Sequence, residues 1–146
     1  MTLNYIIFDI YILISILLVP SFSVNSFYFD GDMASPLLRI ATFNCRSFNN
    51  SLSEIQDLCK SHDIILLQET WLLPDDLHVL NSVNRDFLSF CTSAVDTSVG
   101  FHAGRPYGGL AFLWRKNLGN AVSVKNYEDS RQLGLLVSSS SIDTLF

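Results

Sequence analysis

Two side chains 25 positions apart, Asn44 and Glu69, each follow an apolar run that reads as a buried strand. Burying a carboxylate is costly unless it is ionised and partnered, for instance by a metal. Magnesium favours oxygen ligands, takes one or two carboxylates, and fills its other positions with water and substrate phosphate. One Glu beside an Asn amide therefore suits Mg2+ (or Mn2+) placed to polarise a phosphodiester. Position alone leaves the opposite reading open, in which Glu69 simply meets solvent where its strand ends.

The elements that must bring the two together are legible. Residues 37–43, "LLRIATF", form an apolar run bounded by Pro36 and Asn44 and read as a strand. A polar turn follows, then Ser51 and Glu54 at the spacing of a capping box. Leu52, Ile55, Leu58 and Cys59 fall on one helical face, and Lys60 to His62 bring basic side chains to the helix's negative end. Residues 64–67 are apolar without alternation, the pattern of a strand covered on both faces. Strand, helix, strand within about thirty residues is a βαβ unit with a right-handed crossover. Two parallel strands deliver their C-terminal ends to one sheet edge, so Asn44 and Glu69 should be neighbours where open sheets bind ligands.

Downstream, residues 75–84 are expected to form a short helix started by Pro74, and residues 87–92 a strand. Residues 100–109 read as a loop in which Gly108 and Gly109 permit close backbone approach. Further strands are expected at 110–114 and 121–127, and a hairpin pair at 133–138 and 142–146. The chain stops at Phe146 within an apolar run, which reads as a truncation.

Composition bounds the rest. The 146 residues suffice for one domain with a core, not two. A net charge of −5 argues against a basic nucleic-acid-coating protein. The charge is uneven: residues 1–101 hold four basic against eleven acidic side chains, residues 102–146 five against three. Such asymmetry fits a metal site beside a phosphate-contacting surface, or chance in a small chain. Cys45, Cys59 and Cys91 lack the spacing of a zinc site or disulfide framework, and a reducing compartment is the easier reading. Cys45 and Cys59 are expected in the core.

Residues 10–19, "IYILISILLV", are too short to span a bilayer and fit a signal-peptide core, with Ser21-Phe22-Ser23 as a cleavage site. Against that, no Lys or Arg precedes the run and Asp9 sits at its edge. Asn49-Asn50-Ser51 is a glycosylation sequon compatible with secretion. The segment is a signal or anchor, an extension upstream of the domain, or a tail. On any of these readings residues 1–33 stay outside the fold.

"LRIATFNCRS", "DIILLQETWL" and "GRPYGGLAFLWRK", in this order and spacing, resemble the endonuclease/exonuclease/phosphatase family. The closest likeness is to the endonuclease domains of non-LTR (LINE-type) retrotransposons, over residues 36–146. Asn44 matches the family's active-site Asn, Gln68 and Glu69 its Gln-Glu pair, and Gly108 and Gly109 its Gly-Gly strand start. The resemblance implies an α/β fold, here an incomplete four-layer α/β sandwich of mixed sheets flanked by helices. It also implies magnesium-dependent cleavage of DNA, with Asn44 and Glu69 catalytic and Glu69 on the metal. The family's later groups, a Tyr, an Asp-x-Asn and an Asp-His pair, are not in the sequence, so this chain reads as an inactive fragment. Ser61-His62-Asp63 has the wrong order and lies roughly 15 Å from Glu69 by strand length, so His62 is not the general base.

Arg105, Arg115 and Lys116 are candidate phosphate contacts, or else ordinary solvated charges. His102 sits in the Gly-rich loop where substrate could approach, while His78 reads as a surface residue. Tyr107 and Trp114 read as packing residues. No stable protein partner is expected, and membrane contact only through residues 1–29. The resemblance implies a nuclear or intracellular location; secretion or anchoring follows only if residues 1–23 act as a signal. Two alternatives are a lipid or inositol-phosphate phosphodiesterase of the same family, and a secreted or membrane-tethered binding module without activity.

Overall fold

The computed structural model describes residues 9–15, 24–29, 38–98, 100, 104–127 and 131–138. Strand β3 (Leu38–Asn44), helix α1 (Leu52–Ser61) and strand β4 (Ile64–Gln68) form the βαβ unit. The two strands are parallel, with Asn44 opposite Gln68. They form the middle of a five-stranded sheet in the order β2-β3-β4-β6-β5. There β2 is Val24–Phe29, β5 is Phe87–Thr92 and β6 is Leu110–Arg115. β6 runs antiparallel to β4, so its first residue, Leu110, pairs with Gln68. That register brings the start of β6 to the edge where β3 and β4 finish.

Both faces of this sheet are covered, as the unalternating apolar run predicts. On one face Phe43, Ile65, Leu67, Ala111 and Leu113 pack against Ile55 and Cys59 of α1 and Leu80 of the segment Pro74–Ser82. On the other, Ile40, Ile64, Leu66, Leu110 and Phe112 meet Leu133, Leu135 and Val137 of β8 (Gln132–Ser138). β8 is the centre of a second sheet, β1-β8-β7, between β1 (Asp9–Ser15) and β7 (Val122–Asn126). The result is a mixed α/β fold whose described residues form three layers: helices, the five-stranded sheet and the three-stranded sheet. These fit an α/β sandwich of the expected type. No described helix is long and apolar enough to cross a membrane.

Several expectations change. Residues 9–15 and 24–29, set outside the fold on sequence grounds, are strands: β1 pairs antiparallel with β8, and β2 with β3. A ten-residue apolar run has the length of a signal core but is equally long enough for one strand. The short helix expected after Pro74 forms as a 3-10 helix, Pro74–Ser82. β8 pairs with β1 and β7; the partner expected for it at residues 142–146 lies outside the described residues.

The capping box does not form. Ser51 is the N-cap but makes no side-chain cap. Its buried hydroxyl donates to the Cys45 carbonyl at 2.8 Å, and Glu54 takes the Ser53 hydroxyl instead. Ser51 therefore ties the helix start to the turn after β3, a tertiary use of a residue that local spacing assigns to the helix.

Candidate functional site

Pairing continues past the formal ends of β3 and β4. The Cys45 amide donates to Gln68 O at 3.0 Å, Ser47 to Glu69 O at 3.0 Å and Phe48 to Thr70 O at 2.9 Å. On the other side, the Thr70 and Trp71 amides donate to Gly109 O and Gly108 O at 3.3 and 2.9 Å. Residues 69–71 are thus clamped between the turn after β3 and the approach to β6. The clamp forces unusual backbone: Arg46, Ser47, Glu69 and Trp71 all have positive φ, at 45°, 124°, 56° and 56°. Such conformations cost about 1–3 kcal/mol each for side-chain-bearing residues and concentrate at functional sites. Four in one corner of the molecule mark this edge as a built site.

Gly108 and Gly109 supply the other wall, with φ of 61° and 86°. A Cβ on Gly109 would lie 3.2 Å from Thr92 O and collide with the Thr70 hydroxyl. The close approach that the sequence implied for this pair is therefore made to the residue that follows Glu69.

Glu69 is half-buried, and both hydrogen bonds to its carboxylate from described residues fall on Oε2. The Trp71 indole N–H donates at 2.9 Å and the Gly108 amide at 3.1 Å. Asn44 is 6% exposed, and its buried Oδ1 has no hydrogen-bond partner. A buried oxygen without a donor wants a cation or an incoming N–H or O–H. The Thr70 hydroxyl, one residue beyond Glu69, is likewise buried and without a partner. Cys45 adds no nucleophile, since burial pushes its thiol up to about 12.

Among the described residues no group of three or more His, Cys, Asp or Glu is placed to hold a metal ion by itself. The Glu69 carboxylate, with Oε1 free of the donors that hold Oε2, nevertheless suits a hard divalent cation that keeps several waters and a substrate phosphate. It would make up part of such a shell and leave the remainder to water and substrate.

Of the other candidates, Arg105 belongs to this edge: its guanidinium carbon lies 3.9 Å from the centroid of the Trp71 ring. Arg115 and Lys116 do not. Because β6 is antiparallel to β4, its far end lies roughly 20 Å away, beside the start of β4. There Arg115 Nε donates to Asp63 Oδ1 at 3.0 Å and its Nη2 to Cys59 O at 3.1 Å. The Lys116 amide bonds Asp86 O at 2.9 Å. "GRPYGGLAFLWRK" reads as one motif, but its strand separates its two basic ends. His102 lies outside the described residues. His62 is buried at the end of α1, its Nδ1 2.9 Å from the Ser61 hydroxyl and 3.3 Å from Leu58 O. His78 is exposed, its Nδ1 2.8 Å from Asp75 O.

Sequence reasoning missed Trp71 and Thr70, and the left-handed backbone at Arg46. The only signal available was adjacency, since Thr70 and Trp71 follow Glu69 and Arg46 follows Asn44 by two.

Among curated proteins and among solved structures, nothing matches this chain. A family model, that of the Endonuclease/Exonuclease/phosphatase family, matches residues 41–140, more than half of the sequence. The matched stretch takes in Asn44, Glu69, Arg105, Gly108 and Gly109, all of the edge just described. Membership of this family points to phosphodiester hydrolysis in general, and the family is generally dependent on a divalent metal. The strand ends, the orphaned amide oxygen and the matched span agree: the chain belongs to the Endonuclease/Exonuclease/phosphatase family.

Proposed function

We propose that this chain carries part of the active site of a magnesium-dependent DNA endonuclease, of the type found in non-LTR retrotransposons. The observation that carries the reading is Asn44, whose buried Oδ1 has no donor, at the strand end beside Glu69. In this reading Glu69 holds Mg2+ (or Mn2+) through its carboxylate, and Asn44 orients the phosphate or a catalytic partner. The bound cation would neutralise charge on a phosphoryl oxygen. Arg105, stacked on Trp71, offers a cation at the same edge for a flanking phosphate. Tyr107, 57% exposed two residues further on, gives a backbone-tracking ligand an aromatic neighbour. The basic balance of residues 102–146 and the "GRPYGGLAFLWRK" pattern favour DNA over the other phosphoesters.

The family's Asp-x-Asn and Asp-His groups are not in the sequence, so the proposal includes a chain inactive by itself. Nicking of supercoiled plasmid in Mg2+ tests both parts. Joined to a family member's later catalytic segment, the chain should nick, and Glu69→Ala should lower the rate at least tenfold. Inositol phosphates offered to the same protein should be poorer substrates. Undiminished nicking by Glu69→Ala would overturn the metal assignment, and metal-dependent nicking by the 146-residue chain alone would overturn the claim of inactivity.

A further inference from the structure

Resting on the reading of Glu69 as a metal ligand, we infer that Trp71 is a positioning residue that aims the Glu69 carboxylate. The two side chains are two residues apart, and a regular strand would point both the same way without letting them touch end to end. Positive φ at both residues folds the backbone so that the indole N–H meets Glu69 Oε2 at 2.9 Å. The Gly108 amide meets the same oxygen at 3.1 Å. Two donors on Oε2 fix the carboxylate plane and leave Oε1 to face a cation.

The indole is itself held. Its backbone amide bonds Gly108 O at 2.9 Å, and the Arg105 guanidinium lies 3.9 Å from its ring centroid. Cation–π stacking of this kind fixes a ring's orientation as well as attracting the cation. Arg105, Trp71, Gly108 and Glu69 therefore form one connected unit in which a change at the outer cation is felt at the carboxylate. Hydrogen bonds to a ligating group commonly set metal affinity by about ten- to a hundredfold.

The test is Mn2+ binding, followed by electron paramagnetic resonance on the 146-residue chain. Trp71→Phe keeps an aromatic face for Arg105 and removes only the N–H. It should weaken Mn2+ binding about tenfold, with the circular dichroism spectrum unchanged. Glu69→Gln separates the two claims. If it abolishes binding while Trp71→Phe binds as wild type, the positioning role is wrong and the metal reading stands. If Glu69→Gln binds as wild type, the metal reading itself fails and the inference goes with it.

A second measurement needs no variant and holds even if Trp71→Phe does not fold. The chain has two tryptophans, and Trp114 lies in β6 opposite Ile64, away from this edge. On Mg2+ addition the Trp71 indole N–H resonance should shift while that of Trp114 stays in place. A fixed Trp71 resonance, or equal movement of both, would overturn the inference.

Discussion

Gly109→Ala is expected to lower stability by about 3 kcal/mol, measured as a shift in the urea midpoint at constant slope. Two costs add. A Cβ at φ 86° carries roughly 1–2 kcal/mol of local strain. The same Cβ overlaps the Thr70 hydroxyl and presses on Thr92 O at 3.2 Å, an overpacking cost of about 1–3 kcal/mol. Only the overlap with the hydroxyl, part of the second cost, depends on Thr70. Thr70→Ala removes a hydroxyl that is 1% exposed as a residue and has no hydrogen-bond partner, so its own effect should be small. In that background Gly109→Ala should cost about 1 kcal/mol less, the strain and the 3.2 Å approach to Thr92 O remaining while Thr70 Cβ at 3.7 Å is an ordinary contact. A double-mutant cycle with no coupling would show that the two residues are not in contact as described.

The second large effect lies at the opposite sheet edge. Asp63 accepts from the Arg39 amide, Nε and Nη2 at 3.0, 3.0 and 2.9 Å, and from Arg115 Nε at 3.0 Å. It thereby staples the starts of β3 and β4 to the end of β6. The Asp63 side chain is 14% exposed and Arg115 28%, so solvent screens this pair little, although Arg39 at 39% is more open. Asp63→Asn is expected to cost about 2–3 kcal/mol at neutral pH, discounted from a fully buried pair for the exposure of Arg39.

Its pH dependence has a definite sign. Burial alone would raise the Asp63 pKa, but hydrogen bonds and charge from Arg39, with help from Arg115, outweigh it and hold the carboxyl below its ordinary 3.8. The unfolded chain therefore binds this proton more readily than the folded one. The stabilisation is complete above the ordinary carboxylate range and fades as pH falls through it toward the lower folded value. Urea midpoints of wild type and Asp63→Asn should converge in acid and diverge toward neutrality. A constant gap would show that the ionised form contributes nothing.

How far the sequence carries can be judged residue by residue. Leu52, Ile55 and Cys59 at helical spacing, and the unalternating run at 64–67, were enough to place Asn44 beside Glu69. That inference needs only local periodicity and the fixed hand of a parallel crossover. The sequence left Arg115 without an edge because no local pattern tells whether a strand joins a sheet parallel or antiparallel, and β6 is antiparallel. The strand Asp9–Ser15 was misjudged for a related reason: an apolar run does not name its partner, and β8 lies more than a hundred residues away. Ser51 was read from a spacing rule, but a carbonyl brought close by tertiary folding won its hydroxyl. The left-handed backbone at Glu69 and Trp71 is imposed by bonds from two other segments, so nothing in "QETW" announces it.

Asn44 and Glu69 are most directly tested together by paramagnetic broadening of the wild-type chain's amide spectrum with substoichiometric Mn2+. If this edge binds a divalent cation, amides of residues 44–47, 69–71 and 105–109 should fade first. Those of Asp63, Arg115 and Lys116 at the far edge should persist, and Glu69→Gln should erase the pattern. Broadening centred instead on exposed carboxylates such as Asp57, Asp75 and Asp76, or unaltered by Glu69→Gln, would contradict the assignment.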